Sequence, residues 1–419
     1  MTDATATTRA DTSLSDDPGA ARIAARLREL AAIGAQAGGG ITRLAYTPAE
    51  REAHALFRRW LEAEGRRVET DAAGNTVAIF DDGEPYFLLG SHLDTVAQGG
   101  AYDGAAGVVG ALEAAALVSG TLTHGLRAVV FAGEEGARFG RPNLGSAAAA
   151  GMLRADDLTR LRDAGGVSLY EAAAALELAP ATVKPWLDGT VACFFEIHIE
   201  QGRLLELSAA RIGLVDAIAG SIRLRMEIVG RPDHSGATPM EIRADALAAA
   251  SQLVLSVEEV ARGYRSTVAT VGRMEVWPNS VTTVPGKVTL WIDIRDTDAD
   301  QQRHAARSLF DRAESIGAAR GVAVSGEVVS DQAPVVLAAW PRAMMREECE
   351  ARGLMYRVMP SGAGHDAAIV ARRAPATMLF IPCVNGVSHA PDESASADDV
   401  ALASELIAAA IRRADRFLD

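Results

Sequence analysis

Two adjacent carboxylates, Glu134 and Glu135, follow an apolar run, Leu126–Ala132, that reads as a buried strand. Three histidines stand in the same kind of place. His92 lies in GSHLDTV, His198 in FFEIHIEQG and His389 in NGVSHAPDE, each at the end of a strand-like stretch. Imidazole and carboxylate are the donors that hold Zn²⁺ and its first-row neighbours. A single histidine is an ordinary core or surface residue. Three at strand ends, with Asp103 and the glutamate pair at further turns, read instead as a metal site. His92 and Asp94 are two apart, so an extended chain points both to one face. An Asp so placed takes the free ring N–H of a metal-binding His. Asp103 closes the turn AQGGAYDG and precedes a helix, so a helix cap and a ligand are both open readings.

These residues need a scaffold that brings strand ends together. From Ala20 the pattern is helix, then strands alternating with helices: TVAIF, YFLLGS, the small apolar segment 104–118, LRAVVFA and CFFEIHIE. That alternation predicts an α/β fold with a mixed, mostly parallel sheet flanked by helices. Near Arg211 the pattern changes. IRLRMEIVG, TVATVGRMEVW, KVTLWIDIRD and VAVSGEVVSD alternate polar and apolar residues, with long helical stretches at about 243–261 and 299–320. The order β-α-β-β-α-β is that of a ferredoxin-like unit. The expected organisation is a disordered tail at 1–19, a catalytic domain at 20–211 and 329–419, and an inserted α+β domain at 212–328.

Composition narrows the function classes. The 419 residues carry a formal net charge of −14, which disfavours nucleic acid or an anionic membrane as partner. No apolar run is long enough to span a membrane, and the N-terminus lacks the apolar core of a secretory signal. Cys193, Cys349 and Cys383 are odd in number and far apart, which fits a reducing cytoplasm rather than a disulfide framework.

The motifs GSHLDTVAQGGAYDGAAGV, FAGEEGARFG, HIEQG, GRPDHSGATPM, SGAGHDA and SHAPDE occur in this order. Together they resemble the M20 metallopeptidase/amidohydrolase superfamily, and within it the hydantoinase/carbamoylase branch. HIEQG and GAGHDA are specific to that branch. The resemblance implies a zinc-exopeptidase-like catalytic domain and two divalent ions, Zn²⁺ first, with Mn²⁺, Co²⁺ and Ni²⁺ as alternatives. It implies Asp103 as the bridge, His92 and His198 on one ion, and Glu135 and His389 on the other. It makes Glu134 the base for a bridging metal-bound hydroxide, with Asp94 and His234 as further catalytic residues. Gln201, His234, Asn279, Arg295, Ser361 and Gly362 would bind a small ureido or carbamoyl substrate bearing a carboxylate. For Arg295, flanked by Asp293 and Asp296, an ordinary salt bridge competes. Asp366 reads as a helix cap.

The implied activity is N-carbamoyl-L-amino acid hydrolysis to L-amino acid, CO₂ and ammonia, in a homodimer formed through the inserted lid domain. Allantoate amidohydrolase and β-ureidopropionase activity are the alternatives within the branch. A plain dipeptidase is disfavoured by HIEQG. A catalytically silent binding relative is disfavoured because every ligand position and the base are filled by competent residues.

Overall fold

The computed structural model describes residues 17–418. Residues 1–16 of the expected tail lie outside them. Its last two positions, Pro18 and Gly19, are already helical, in a helix Pro18–Ala32. The start signal was local: Asp17 caps the helix by accepting from the Gly19 N–H, and Pro18 occupies the first helical position.

The chain divides into two compact units. The first takes residues up to Val215, then Ala338–Val358 and His365 onward. Its strands begin with β1 (Arg67–Thr70), β2 (Thr76–Asp81), β3 (Tyr86–His92), β4 (Gly125–Phe131), β5 (Val191–Ile199) and the first part of β6 (Ile212–Ile218). The order across the sheet is β1-β2-β4-β3-β5, continued by Ala376–Ile381 and then β6. The centre is parallel: β3 pairs parallel with β4 and β5, and Ala376–Ile381 pairs parallel with β5. The flanks, β1 on β2, β2 on β4 and β6 on Ala376–Ile381, are antiparallel.

Central strands of such a sheet are covered on both faces, so they read as continuous apolar runs. Every residue of β3, of β5 and of Ala376–Ile381 is buried. The helix Ala105–Val118, built of Ala, Gly and Val, packs on β3 and β5 and against the helix Ala397–Ala414. Its small side chains permit that close approach.

The second unit comprises Asp216–Leu337 and Met359–Gly364. Its strands are β7 (Gly220–Val229), β8 (Asp233–His234), β9 (Val268–Trp277), β10 (Thr283–Val284), β11 (Lys287–Asp296), β12 (Ala323–Gln332) and β13 (Val335–Val336). The four long ones form an antiparallel sheet in the order β12-β7-β11-β9, the ferredoxin-like arrangement. Ile222, Leu224, Met226 and Ile228 of β7 alternate inward with Val288, Leu290, Ile292 and Ile294 of β11. Helices Ala246–Arg262 and Ala299–Arg320 cover that apolar face. The unit runs past the expected limit at 328 because β12 continues to Gln332 and β13 follows. It also claims 359–364, the end of β14 (Tyr356–Ser361) and the turn after it. The parallel strand Ala376–Ile381 is then β15.

Candidate metal centre

Parallel strands place their C-terminal ends on one edge of the sheet, where open α/β folds bind ligands. Here β3 ends at His92, β4 leads into Glu134 and Glu135, His198 lies near the end of β5, and β15 leads to His389. The described residues supply two groups fit to hold a divalent ion, and Asp103 belongs to both. One is His92, Asp103 and His198; the other is Asp103, Glu135 and His389.

Asp103 turns one oxygen to each group. Its Oδ1 lies 3.4 Å from His92 Nε2 and 3.1 Å from His198 Nε2. Its Oδ2 lies 3.3 Å from His389 Nε2, which in turn is 3.1 Å from Glu135 Oε1. Asp103 does not cap the following helix: the N-cap is Gly104, without a side-chain cap bond. Gly104 has φ +64°, and a Cβ there would come within 2.5 Å of the His92 ring. A glycine is therefore required for the turn and for the imidazole beside it.

The rings are oriented by the main chain. His198 Nδ1 is 2.9 Å from the Ile199 carbonyl, and His92 Nδ1 is 3.1 Å from the Asp94 carbonyl. Both Nδ1 atoms are donors in that geometry, which leaves the Nε2 lone pairs facing Asp103. Gln201 and His389 both adopt positive φ, +58° and +56°. For non-glycine residues this costs roughly 1–3 kcal/mol each and is typical of functional turns.

The Asp94 carboxylate does more than its expected pairing. It stands 3.5 Å from His92 Nδ1 and also accepts the N–H of Glu134 and of Glu135, both at 2.9 Å. Buried Glu50 accepts the preceding N–H, of Gly133, at 2.8 Å. Three successive main-chain donors are thus fixed by two carboxylates, and the glutamate pair is held by its backbone. Burial pushes Glu50 up to about 7, with Asp94 adding to the shift.

Glu134 belongs to neither donor group. Its Oε1 accepts Asn143 Nδ2 at 2.8 Å, and its Oε2 is 3.9 Å from His92 Nε2. Burial holds its carboxyl well above the usual range; His92 opposes this and Glu135 reinforces it. Burial also opposes ionisation of Asp103, but His198, His389 and His92 outweigh it and hold Asp103 well below its ordinary value. His389 is raised to about 10 by its bonds to Asp103 and Glu135. The donor set suits a divalent ion: imidazoles and carboxylates converge on two points and share one carboxylate.

Gln201 Nε2 donates to Asp103 Oδ2 at 2.7 Å, while its Oε1 is buried without a partner among the described residues. Asp366 is buried and accepts Ser146 Oγ at 2.5 Å and Asn143 Nδ2 at 3.4 Å. It is no helix cap, because the N-cap of Asp366–Val370 is His365 and no side-chain cap bond forms.

The remaining expected residues lie in the second unit. His234 Nδ1 accepts the N–H of Gly236 and Ala237, both at 3.1 Å, so a neutral ring carries its proton on Nε2. Arg295 Nε bonds Asp293 at 2.8 Å and its Nη1 bonds the Gly362 carbonyl at 2.6 Å. The competing ion pair is therefore present, with Asp293; Asp296 is occupied by Ser266 and Thr267. The Ser361 hydroxyl is engaged with Ala363 of its own turn. Asn279 is exposed, with φ +55°.

Sequence reasoning passed over Glu50, Asn143, Ser388 and Glu393. Glu50 carried a signal, as a glutamate three residues after Thr47 at a helix start, but that pattern reads as a local cap. The others contact the centre from turns, where side-chain direction has no period.

The model of the family described as peptidase family M20/M25/M40 matches residues 88–413. An N-carbamoyl-L-amino acid amidohydrolase of Geobacillus stearothermophilus is 38% identical over 92% of this chain and 96% of its own. An allantoate amidohydrolase of Escherichia coli K12 is 37% identical over 89% of this chain and 92% of its own. The crystal structure of a hydantoinase/carbamoylase family amidase from Burkholderia multivorans superposes with a TM-score of 0.86 at 32% identity, covering 94% of this chain and 98% of that one. A match of this extent places the chain in peptidase family M20/M25/M40, in the hydantoinase/carbamoylase branch, as a metal-dependent hydrolase of amide-type C–N bonds.

Proposed function

We propose that this chain hydrolyses N-carbamoyl-L-amino acids to the L-amino acid, CO₂ and ammonia. The observation that carries the reading is the paired donor set that shares Asp103, with Glu134 beside it but outside it. His92, Asp103 and His198 would hold one ion, and Asp103, Glu135 and His389 the other. Zn²⁺ is the first choice for such nitrogen and oxygen donors, ahead of Mn²⁺, Co²⁺ and Ni²⁺. Two such ions, when bound, would supply Lewis acidity for the activation of water and of a carbonyl.

The residues do the rest. Glu134 takes a proton from the attacking water as the C–O bond forms, and passes it to the ureido nitrogen as the C–N bond breaks. The amino acid leaves as the amine, and the carbamate left behind decays to CO₂ and ammonia. Asn143 holds the Glu134 carboxylate and Asp94 holds its main chain, so the base does not search for its position. The free Oε1 of Gln201 accepts a ureido N–H. His234 Nε2–H donates to the developing oxyanion. Arg295, with Asn279 and the Ser361–Gly362 turn, receives the α-carboxylate.

Arg295 carries a testable consequence. Its guanidinium is planar, and Asp293 and the Gly362 carbonyl fix its tilt. Lysine keeps the charge and loses that geometry. Arg295→Lys should lower kcat/KM for carboxylate substrates about 10- to 100-fold, since a charge-assisted hydrogen bond contributes roughly 1.5–3 kcal/mol. The loss should fall on KM. An unchanged KM would remove Arg295 from the carboxylate site.

The test of the reaction is one assay panel on metal-reconstituted protein. It compares N-carbamoyl-L- and D-amino acids, N-carbamoyl-β-alanine, allantoate, ureidoglycolate, N-acyl amino acids and dipeptides. The L-carbamoyl compounds should give the highest kcat/KM; allantoate in first place would shift the assignment within the branch, and activity on dipeptides alone would sink it. The buried free cysteines support a reducing compartment such as the cytoplasm. A homodimer through the second unit is supported by edge strand β9, which exposes Val268, Met274 and Trp277. Sedimentation should give a dimer, and Trp277→Lys should shift it toward monomer; a wild-type monomer would end that proposal. No helix among the described residues is long and apolar enough to cross a membrane.

A further inference from the structure

Glu393, the last residue of SHAPDE, is buried beside the centre although no step of the reaction uses it. Its Oε1 accepts two main-chain donors, Tyr102 N–H at 2.8 Å and Asp103 N–H at 3.0 Å. Its Oε2 lies 3.0 Å from Ser388 Oγ, and that hydroxyl lies 3.1 Å from Asp103 Oδ2. Ser388 immediately precedes His389. One carboxylate therefore grips the backbone of Asp103, reaches its side chain through Ser388, and ties both to the loop that carries His389. The partners are 290 positions apart in sequence. Room for the carboxylate is made by Gly100, where a Cβ would stand 2.2 Å from Glu393 Cδ.

We propose that Glu393 is a positioning residue that sets the spacing between Asp103 and His389, so that both ions depend on its reach. The inference rests on the reading of Asp103 and His389 as ligands. Asp103 is common to the two donor groups, and any error in its main-chain position is felt by both. Groups that orient metal ligands from outside typically change affinity 10- to 100-fold when removed. The role is one of hydrogen-bond reach rather than charge. Glu393→Gln keeps the length and one oxygen for the two N–H donors, and its amide donates to Ser388 Oγ, whose own hydrogen then serves Asp103. Glu393→Asp keeps the charge and is one methylene short.

The experiment is Zn²⁺ affinity by chelator competition, with metal content per chain measured after dialysis, on wild type and the Ala, Gln and Asp variants at position 393. Co²⁺-substituted protein gives a visible spectrum as a second readout of ligand geometry. Glu393→Ala and Glu393→Asp should each bind both ions about 10- to 100-fold more weakly, and Glu393→Gln should stay close to wild type in affinity and spectrum. Should Glu393→Ala fail to fold, Ser388→Ala removes the links to Asp103 Oδ2 and to the His389 loop, leaves the two main-chain bonds of Glu393, and should weaken the same two ions. The proposal is overturned if Glu393→Ala, or Ser388→Ala in its place, leaves both affinities unchanged. It is also overturned if only one ion is weakened, or if Asp rescues and Gln does not, which would mark a charge effect. Wild type that binds no Zn²⁺ overturns the ligand assignment, and this proposal with it; wild type that binds two separates the failures.

Discussion

Asp103→Ala should bring metal content from two ions per chain to near none and reduce hydrolysis to background. Removal of Asp103 leaves His92 and His198 as a pair of imidazoles, and His389 with Glu135 as an imidazole and one carboxylate. Neither pair meets the three or more protein ligands that catalytic sites of this type use. The charge balance changes as well. Two carboxylates serve the two groups, and the variant retains one, so each remaining cation would be opposed by less negative charge in a site where His92, Asp103 and His198 are all buried. Metal analysis after gel filtration reads the result directly. Loss of one ion with retention of the other would show that Asp103 serves a single site; retention of both would remove the bridge from the account. Asp103→Asn is the companion variant, because it keeps the volume next to Gln201 and Ser388 while it removes the charge. It should also lose both ions.

The strand-end positions of these candidate ligands were legible because their cause is local. Apolar-rich runs such as FFEIHI and YFLLGS, without polar–apolar alternation, mark strands covered on both faces, and parallel strands send their C-terminal ends to one edge. His92, His198 and the glutamate pair follow from that rule. The ferredoxin-like order was legible for a related reason, since β7 and β11 alternate inward residues with period two. What lay beyond reach is the pairing between turns. Which oxygen of Asp103 faces which histidine depends on the Gly104 turn and on Glu393, and neither has a sequence period. Spacing points the Asp94 carboxylate at His92, which it approaches to 3.5 Å; spacing does not show that its two oxygens also accept the N–H groups of Glu134 and Glu135, forty positions and more away. The second unit's capture of 359–364 is likewise tertiary, with Ser361 main chain accepting from Ala219 and Gly362 from Arg295. The strand Arg67–Thr70 is four residues long, too short to show alternation against its neighbours.

Glu134→Gln should keep both ions and lose turnover by about 10²- to 10⁴-fold, the range for removal of a general base. The substitution is isosteric. The backbone N–H of position 134 still donates to Asp94, and a glutamine Oε1 still accepts Asn143 Nδ2, so the side chain keeps its place. Neither donor group contains Glu134, so metal content should stay at two. What disappears is the ability to accept a proton from water and return it to the leaving nitrogen. The loss should therefore appear in kcat with KM little changed, because the group acts in the transition state and contributes little to ground-state binding. Glu134→Asp tests the same point from the other side: it restores a carboxylate but withdraws it by one methylene from Asn143, and should recover only part of the rate. A Gln variant within tenfold of wild type would assign the proton transfer to another group, and one that loses an ion would make Glu134 a ligand. The two glutamates answer to different constraints although they are neighbours. Asp94 fixes both through the main chain, but Glu135 Oε1 meets His389 and Glu134 Oε1 meets Asn143, so one side chain is placed to hold a cation and the other to stay free of it. A ligand carboxylate bound to an ion is a poor base, and a base must be free to take up and release a proton at each turnover; under the proposed assignment the two demands fall on two neighbouring residues that follow β4.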